Sequence, residues 1–429
     1  MLAEKVENRV MTATAQRASF FRQSGWLMLA NIAGGVLMWA VHFLAKAIPE
    51  EEYGGFGAFL TVAMLLPTIP LQMVLAQQTA KALATDRQPQ LSGLIRLVCG
   101  GIFVLWLLAA VGVLVLQSWI LKRWQLSSPI GLWMTLPTVL LSMWLPVFWG
   151  LLQGQQNFLW LGWSMMLNGV GRLTTAAFAV LVLGAYAAGM VTGILLGLAI
   201  AVAIGVWQTR SLWLVSPQPF DWRTLLRQII PLMLGFFGFQ ILFTADTLFV
   251  KAYFTGKETG FYLSAGTLAR ALMWLVGPLA AVMFPRLVHS AVKAEKTDLM
   301  GIVLLGTGLL AVVGAASLSV LGPWVVRIVY KQSYVQVAST VLPWYASAMV
   351  PLALANVLLN NLFARPSSKA IPALCVFALA VAYALALTGF HSSLVTVLKT
   401  MGFFNLLLLL ICAWFTWGPG TKARIEEAR

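Results

Sequence analysis

Acidic side chains are scarce in this chain: 13 Asp and Glu stand against 28 Lys and Arg in 429 residues, and charged residues of both signs reach only 10%. With 60% of the residues hydrophobic, so few charges exclude a soluble globular domain and leave a polytopic helical membrane protein. Cysteine is scarce as well. Cys99, Cys375 and Cys412 all sit in apolar runs, which excludes a disulfide framework and offers no metal-ligand spacing. No ligand cluster stands out, and His42, near the end of the first apolar run, reads as a satisfied structural residue rather than a proton relay. No Ser/His/Asp set or carboxylate pair stands out. Gly256-Lys257-Glu258-Thr259 lacks the upstream glycine and following Ser/Thr of a phosphate-binding loop. The expectation is therefore no enzyme, no cofactor and no metal. The first 22 residues carry six charges, so they do not read as a cleaved signal peptide.

What the chain has in quantity is long apolar runs, and twelve spans are expected near 24–47, 56–80, 94–118, 131–153, 158–183, 187–208, 226–254, 261–287, 299–320, 338–363, 370–388 and 393–416. With the termini on one side, eighteen Lys and Arg fall on that side and seven on the other, which makes both termini cytoplasmic. The formal charge of +15 is then mostly a collar against anionic lipid, with no support for a nucleic-acid partner. The expected organisation is a cytoplasmic segment over 1–23, an N-lobe of six spans over 24–215, a polar linker over 216–222, a C-lobe of six spans over 223–417 and a tail over 418–429.

Charges inside spans are costly and mark a pathway or site by default. Four are expected: Asp246, Arg172, Arg270 and Lys399. Asp246 and Arg270 each lie twelve residues from the centre of a six-residue break over 255–260, so an antiparallel hairpin places them opposite each other near mid-bilayer. One acid against three bases suits an anionic cargo. A guanidinium matches phosphate oxygens and stays charged when buried, which makes Arg270 and Arg172 the candidate ligands of such a cargo and Asp246 the counter-ion or coupling residue. A permanent ion pair for Arg270 and a backbone hydrogen bond for Arg172 are the structural alternatives.

Prolines recur in the second and fourth span of each half: Pro67 and Pro70, Pro137 and Pro146, Pro278 and Pro285, Pro343 and Pro351. These are candidate kinks lining a cavity, although packing alone accounts for any one of them equally well. Span six carries Gly189, Gly193, Gly197, Ala201 and Gly205 at four-residue spacing, a stripe that lets another helix approach closely. At an offset of 206 residues the halves overlay: Glu52 and Gly54 fall on Glu258 and Gly260, Phe56 on Tyr262, Thr61 on Thr267 and Pro137 on Pro343. Six spans per half implies lobes related by an axis along the membrane normal.

Pro49-Glu50-Glu51-Glu52-Tyr53-Gly54-Gly55-Phe56 resembles the Gly-Pro-Glu-Glu-Tyr-Gly element of bacterial polysaccharide and oligosaccharide flippases, with Ile48 where that family often has glycine. Asp246…Lys251-Ala252-Tyr253-Phe254…Glu258-Thr259-Gly260-Phe261-Tyr262, followed by Phe284-Pro285-Arg286, is similar to the family's seventh and eighth helices. Gly322-Pro323-Trp324…Tyr330 and Val341-Leu342-Pro343 extend the likeness. The resemblance implies two six-helix lobes, alternating access by rocking, and a polyprenyl-diphosphate-linked glycan carried across the bacterial cytoplasmic membrane. A glycan polymerase or glycosyltransferases would be the neighbours in such a pathway. Two other readings stay open: a cation-coupled multidrug exporter, and a non-transporting membrane subunit of a polysaccharide synthase.

Overall fold

The computed structural model describes residues 25–126, 128–273, 299–364 and 370–418. The expected segment over 1–23, the tail beyond Gly418, and Pro278 and Pro285 lie outside them. The described residues are helical throughout, with no strand among them. In chain order the helices are α1 (Gly25–Lys46, whose last six residues are 3-10), α2 (Glu50–Met64), α3 (Thr68–Ala84), α4 (Gln88–Val115), α5 (Gln117–Arg123), α6 (Ile130–Gly154) and α7 (Phe158–Leu181). Then follow α8 (Tyr186–Gln208), α9 (Arg210–Trp213), α10 (Trp222–Tyr253), α11 (256–273), α12 (Leu299–Val329), α13 (Gln332–Ala364), α14 (Ala370–Gly389) and α15 (Leu394–Trp417).

The protein is a multi-pass membrane protein: among the described residues ten stretches are long and apolar enough to cross a bilayer, α2 and α3 together counting as one. The two other expected positions also hold helices. α7 is 24 residues long but carries Ser164, Asn168 and Arg172, and α11 runs to the edge of the described residues. α4 and α12 present broad apolar faces, with Leu105, Leu108, Leu305 and Val320 all exposed, as lipid-facing helices require.

The second expected span is two helices rather than one. Pro67 supplies no N–H and disfavours helical geometry at Leu66, so the helix stops at Met64 and restarts at Thr68. Breaking a helix inside a membrane frees backbone carbonyls that water cannot reach. Here Gln240 Nε2 of α10 donates to the Met64 carbonyl. Pro70 is buried in the first turn of α3, whereas Pro137 and Pro146 lie inside α6 and Pro343 and Pro351 inside α13. Pro231 in α10 and Pro323 in α12 are further interior prolines.

The chain divides into two compact units. Unit 1 takes the chain through Leu44, then Thr68–Ser118 and Ser128–Arg223, and unit 2 takes Ala45–Pro67, Trp119–Ser127 and the chain from Thr224. In unit 1, α8 packs its glycine stripe on α7: a Cβ at Gly193 would meet the Arg172 carbonyl at 2.6 Å, and one at Gly197 would meet Asn168 O at 2.5 Å. α1 approaches α7 as closely, since a Cβ at Gly34 or Gly169 would strike backbone oxygen at 2.7 Å.

Two stretches of the expected N-lobe, Ala45–Pro67 and Trp119–Ser127, thus pack with the C-terminal half. Lys46 Nζ donates to Ile328 O and Lys331 Nζ to Ile48 O, each at 2.6 Å, and Ser333 Oγ donates to Glu50 Oε1 at 2.6 Å. The Tyr53 hydroxyl meets that of Tyr330 at 3.1 Å. α2 also crosses α11 through glycine. A Cβ on Gly54 would meet Gly256 O and Gly260 N at 3.0 Å, one on Gly260 would strike Glu50 O, and one on Gly57 would strike Leu263.

Candidate functional site

The expected break over 255–260 shrinks to Phe254 and Thr255, and Gly256–Gly260 is the first turn of α11. The reason is a capping box in the sequence. Thr255 N and Oγ1 donate to Glu258 Oε2 at 3.0 and 2.8 Å, and Glu258 N donates back to Thr255 Oγ1 at 3.3 Å. This tight reversal keeps α10 and α11 antiparallel, and the two spanning charges meet across it. Arg270 Nη2 donates to Asp246 Oδ1 at 2.8 Å and to Oδ2 at 3.0 Å.

Asp246 is completely buried and richly hydrogen-bonded. Besides the guanidinium, Tyr262 OH donates to its Oδ2 at 2.9 Å, and Tyr345 OH of α13 donates to the same oxygen. Arg270 is fixed further by Nε to Phe243 O at 3.2 Å and Nη2 to Thr247 Oγ1 at 2.9 Å, with its Cζ 5.5 Å from the Tyr345 ring centre. That commits Nε and Nη2. Nη1 donates to no described residue, and the side chain keeps 12% of its surface exposed. The arrangement is a compensated ion pair with one guanidinium nitrogen left to offer.

Arg172 is built differently. It sits in unit 1, partly exposed, and none of its five N–H donors reaches an acceptor among the described residues; its buried Nε is an orphan. Trp39 Nε1 of α1 is orphaned in the same unit. The structure therefore separates the two arginines by chemistry as well as by unit. Lys399, the third spanning base, is exposed and lies over the Trp344 ring at 4.8 Å, in unit 2.

Sequence reading missed the two tyrosines that complete the Asp246 shell and the Trp39 indole. Applying the 206-residue offset to the Asp246 cluster is informative. Asp246, Arg270, Tyr262 and Tyr345 fall on Ala40, Met64, Phe56 and Val139, so the cluster has no polar counterpart in the first half.

The polysaccharide biosynthesis protein family matches residues 20–291, well over half the chain. The chain belongs to that family. Solved structures agree on the fold. An inward-facing multidrug resistance MATE family transporter of the MOP superfamily shares 13% identity at a TM-score of 0.71, over 92% of this chain and 96% of its own. The lipid II flippase MurJ in an inward closed conformation shares 14% identity at a TM-score of 0.62, over 92% of this chain and 87% of its own. A mutant of a Vibrio cholerae MATE transporter shares 13% identity at a TM-score of 0.54, over 93% of this chain and 97% of its own. No curated protein sequence matches significantly. At such identities these likenesses define the fold, and the family member's own residues must carry any statement about cargo.

Proposed function

We propose that this protein is a flippase that carries a polyprenyl-diphosphate-linked oligosaccharide from the inner to the outer leaflet of the bacterial cytoplasmic membrane by alternating access. The reading has twelve spans in two six-helix lobes related by a pseudo-twofold along the membrane normal, with both termini cytoplasmic. Reciprocal contacts support the axis. Pair 50–260 maps onto pair 256–54 under the 206-residue offset, and 51–257, 54–260 and 57–263 map onto themselves, as a twofold requires.

The observation that carries the cargo assignment is the state of the spanning charges. Among the described residues Arg172 has no counter-ion and Arg270 keeps Nη1 open, and the spanning carboxylate Asp246 is already saturated by Arg270, Tyr262 and Tyr345. Such a protein offers an anion two guanidinium groups and offers a cation nothing. Arg270 and Arg172 are the diphosphate ligands in this reading, and Asp246 is the counter-ion that holds Arg270 oriented between cycles. The saturated carboxylate weighs against a cation-coupled drug exporter.

Moving two negative charges outward from a negative interior is favoured by about 2.3 kcal/mol per charge per 100 mV, so roughly 4.6 kcal/mol in all. Flipping of a diphosphate-linked glycan in proteoliposomes should therefore slow when the potential is collapsed. Uniport is wrong if flipping ignores the potential and stops only when a sodium or proton gradient is dissipated.

A further inference from the structure

Within unit 1 the orphaned donors fall in one neighbourhood. Trp39 and the buried His42 have ring centres 6.2 Å apart, and α1 carries them against α7 close to Arg172: a Cβ on Gly169, three residues before Arg172, would meet Gly34 O at 2.7 Å and Leu37 Cβ, two residues before Trp39, at 2.8 Å. Arg172 brings five N–H donors and a fixed positive charge, Trp39 brings one N–H, and neither side chain contributes an acceptor. Unit 1 has, among its described residues, no carboxylate that answers that charge from within a span. Its described residues include two carboxylates, Asp86 between α3 and α4 and Asp221 just before α10, both at helix ends.

An uncompensated guanidinium in a spanning helix costs several kcal/mol unless it snorkels to the interface or meets an anion. Snorkelling is a poor escape here. Arg172 is nine residues from the end of α7 at Leu181, about 13 Å at 1.5 Å per residue, and fourteen from the start at Phe158. Its backbone is also gripped on both flanks. The glycine contacts of α8 at Gly193 and Gly197 and of α1 at Gly34 fix α7 with no room for a Cβ. The donors are thus held in place without acceptors, the arrangement expected of a preorganised anion site.

We propose that Arg172 and Trp39, flanked by His42, form a phosphate-binding site complete within unit 1 and separate from the Asp246–Arg270 cluster. It deepens the flippase reading by adding the Trp39 N–H and by making the first-half site an independent one. The same chemistry would recognise the diphosphate of a lipid-linked cargo or the phosphate of an anionic lipid headgroup.

The test uses full-length protein in phosphatidylcholine nanodiscs titrated with inorganic pyrophosphate, and in parallel in phosphatidylglycerol-containing nanodiscs analysed for retained lipid by native mass spectrometry. Parent protein should bind at least one of the two probes. R172Q should weaken that binding at least tenfold and W39F, which keeps the ring and removes the N–H, severalfold. Pyrophosphate dependence identifies the cargo diphosphate, and selective phosphatidylglycerol retention identifies a lipid headgroup. A second readout guards against misfolding: because the charge is unpaired, ligand-free R172Q should melt at or above the parental temperature. The proposal is overturned if parent binds neither probe, if R172Q binds both as well as parent, or if R172Q is much less stable or fails to fold. Binding is read without translocation, so a failure of the flippase reading would leave this result standing, and the reverse.

Discussion

Neutralising Asp246 is the most demanding test of the second-half cluster. Asp246→Asn leaves a guanidinium with 12% of its surface exposed facing an amide that offers one acceptor oxygen in place of two, while Nη2, Tyr262 and Tyr345 still converge on it. Breaking one side of a buried pair costs about 3–5 kcal/mol, a fall of roughly two to four decades in the folded-to-unfolded ratio. Adding Arg270→Gln removes the stranded charge and should bring stability back to within about 1–2 kcal/mol of parent, because the tyrosines keep an acceptor and a neutral donor replaces the charged one. Thermal unfolding in detergent reads the first quantity, and flipping in proteoliposomes reads the second. If Arg270 holds the diphosphate, the double variant is stable and inactive. Asp246→Asn alone should bind pyrophosphate more tightly and flip more slowly, since nothing then competes for the guanidinium. Flipping by the double variant at the parental rate would refute the assignment and reduce the pair to a structural bolt.

Two shorter tests address the scaffold. Gln240→Leu removes the donor that answers the Met64 carbonyl at the helix break and should cost about 1–3 kcal/mol in thermal unfolding, with an unchanged melting temperature showing that the carbonyl finds another partner. Gly260→Ala places a methyl against Glu50 O and should part α2 from α11, so that Thr267→Cys, introduced beside the Tyr53 hydroxyl, reacts severalfold faster with an impermeant maleimide than in the glycine background. Equal labelling rates would show that the close approach is dispensable.

The hairpin was readable because distance along the chain sufficed: two charges equally far from a turn must meet if the turn is tight. Its tightness was readable too, from Thr255 and Glu258 at capping-box spacing, a signal that the surrounding glycines mask as a loop. The tyrosines were not. A Tyr in an apolar run has the same pattern as a packed Phe, and only the fold shows that the Tyr262 and Tyr345 hydroxyls converge on one carboxylate oxygen. Pro67 announced a kink, but the carbonyl it frees is answered from α10, a tertiary partner that no local pattern names. The isolation of Arg172 lies between these cases. The lack of spanning acids in the first half is visible in the sequence, whereas the lack of a backbone acceptor among the described residues is a property of the packed helices.

The 206-residue offset sorts the contacts into two classes, and the sorting bears on mechanism. Where α2 meets α11, equivalent residues face each other, so each position answers to the geometry of its own counterpart: Gly54 meets Gly260 with a small residue on both sides, and Gly57 makes room for the Leu263 side chain. The polar sites follow the opposite rule. Asp246, Arg270, Tyr262 and Tyr345 fall on Ala40, Met64, Phe56 and Val139, and Trp39, His42 and Arg172 fall on Ala245, Leu248 and Ala378. A contact that only has to open and close gains from symmetry, because the same surface serves both halves. A diphosphate joined to a polyprenyl chain at one end and a glycan at the other has no twofold of its own, so matched sites in the two halves could not both fit it. On the proposed reading, Arg172, unpartnered among the described residues, and the Trp39 N–H would attract such a cargo, whereas the Arg270–Asp246 pair would admit it only by competing with Asp246, and that competition would keep binding weak enough for release.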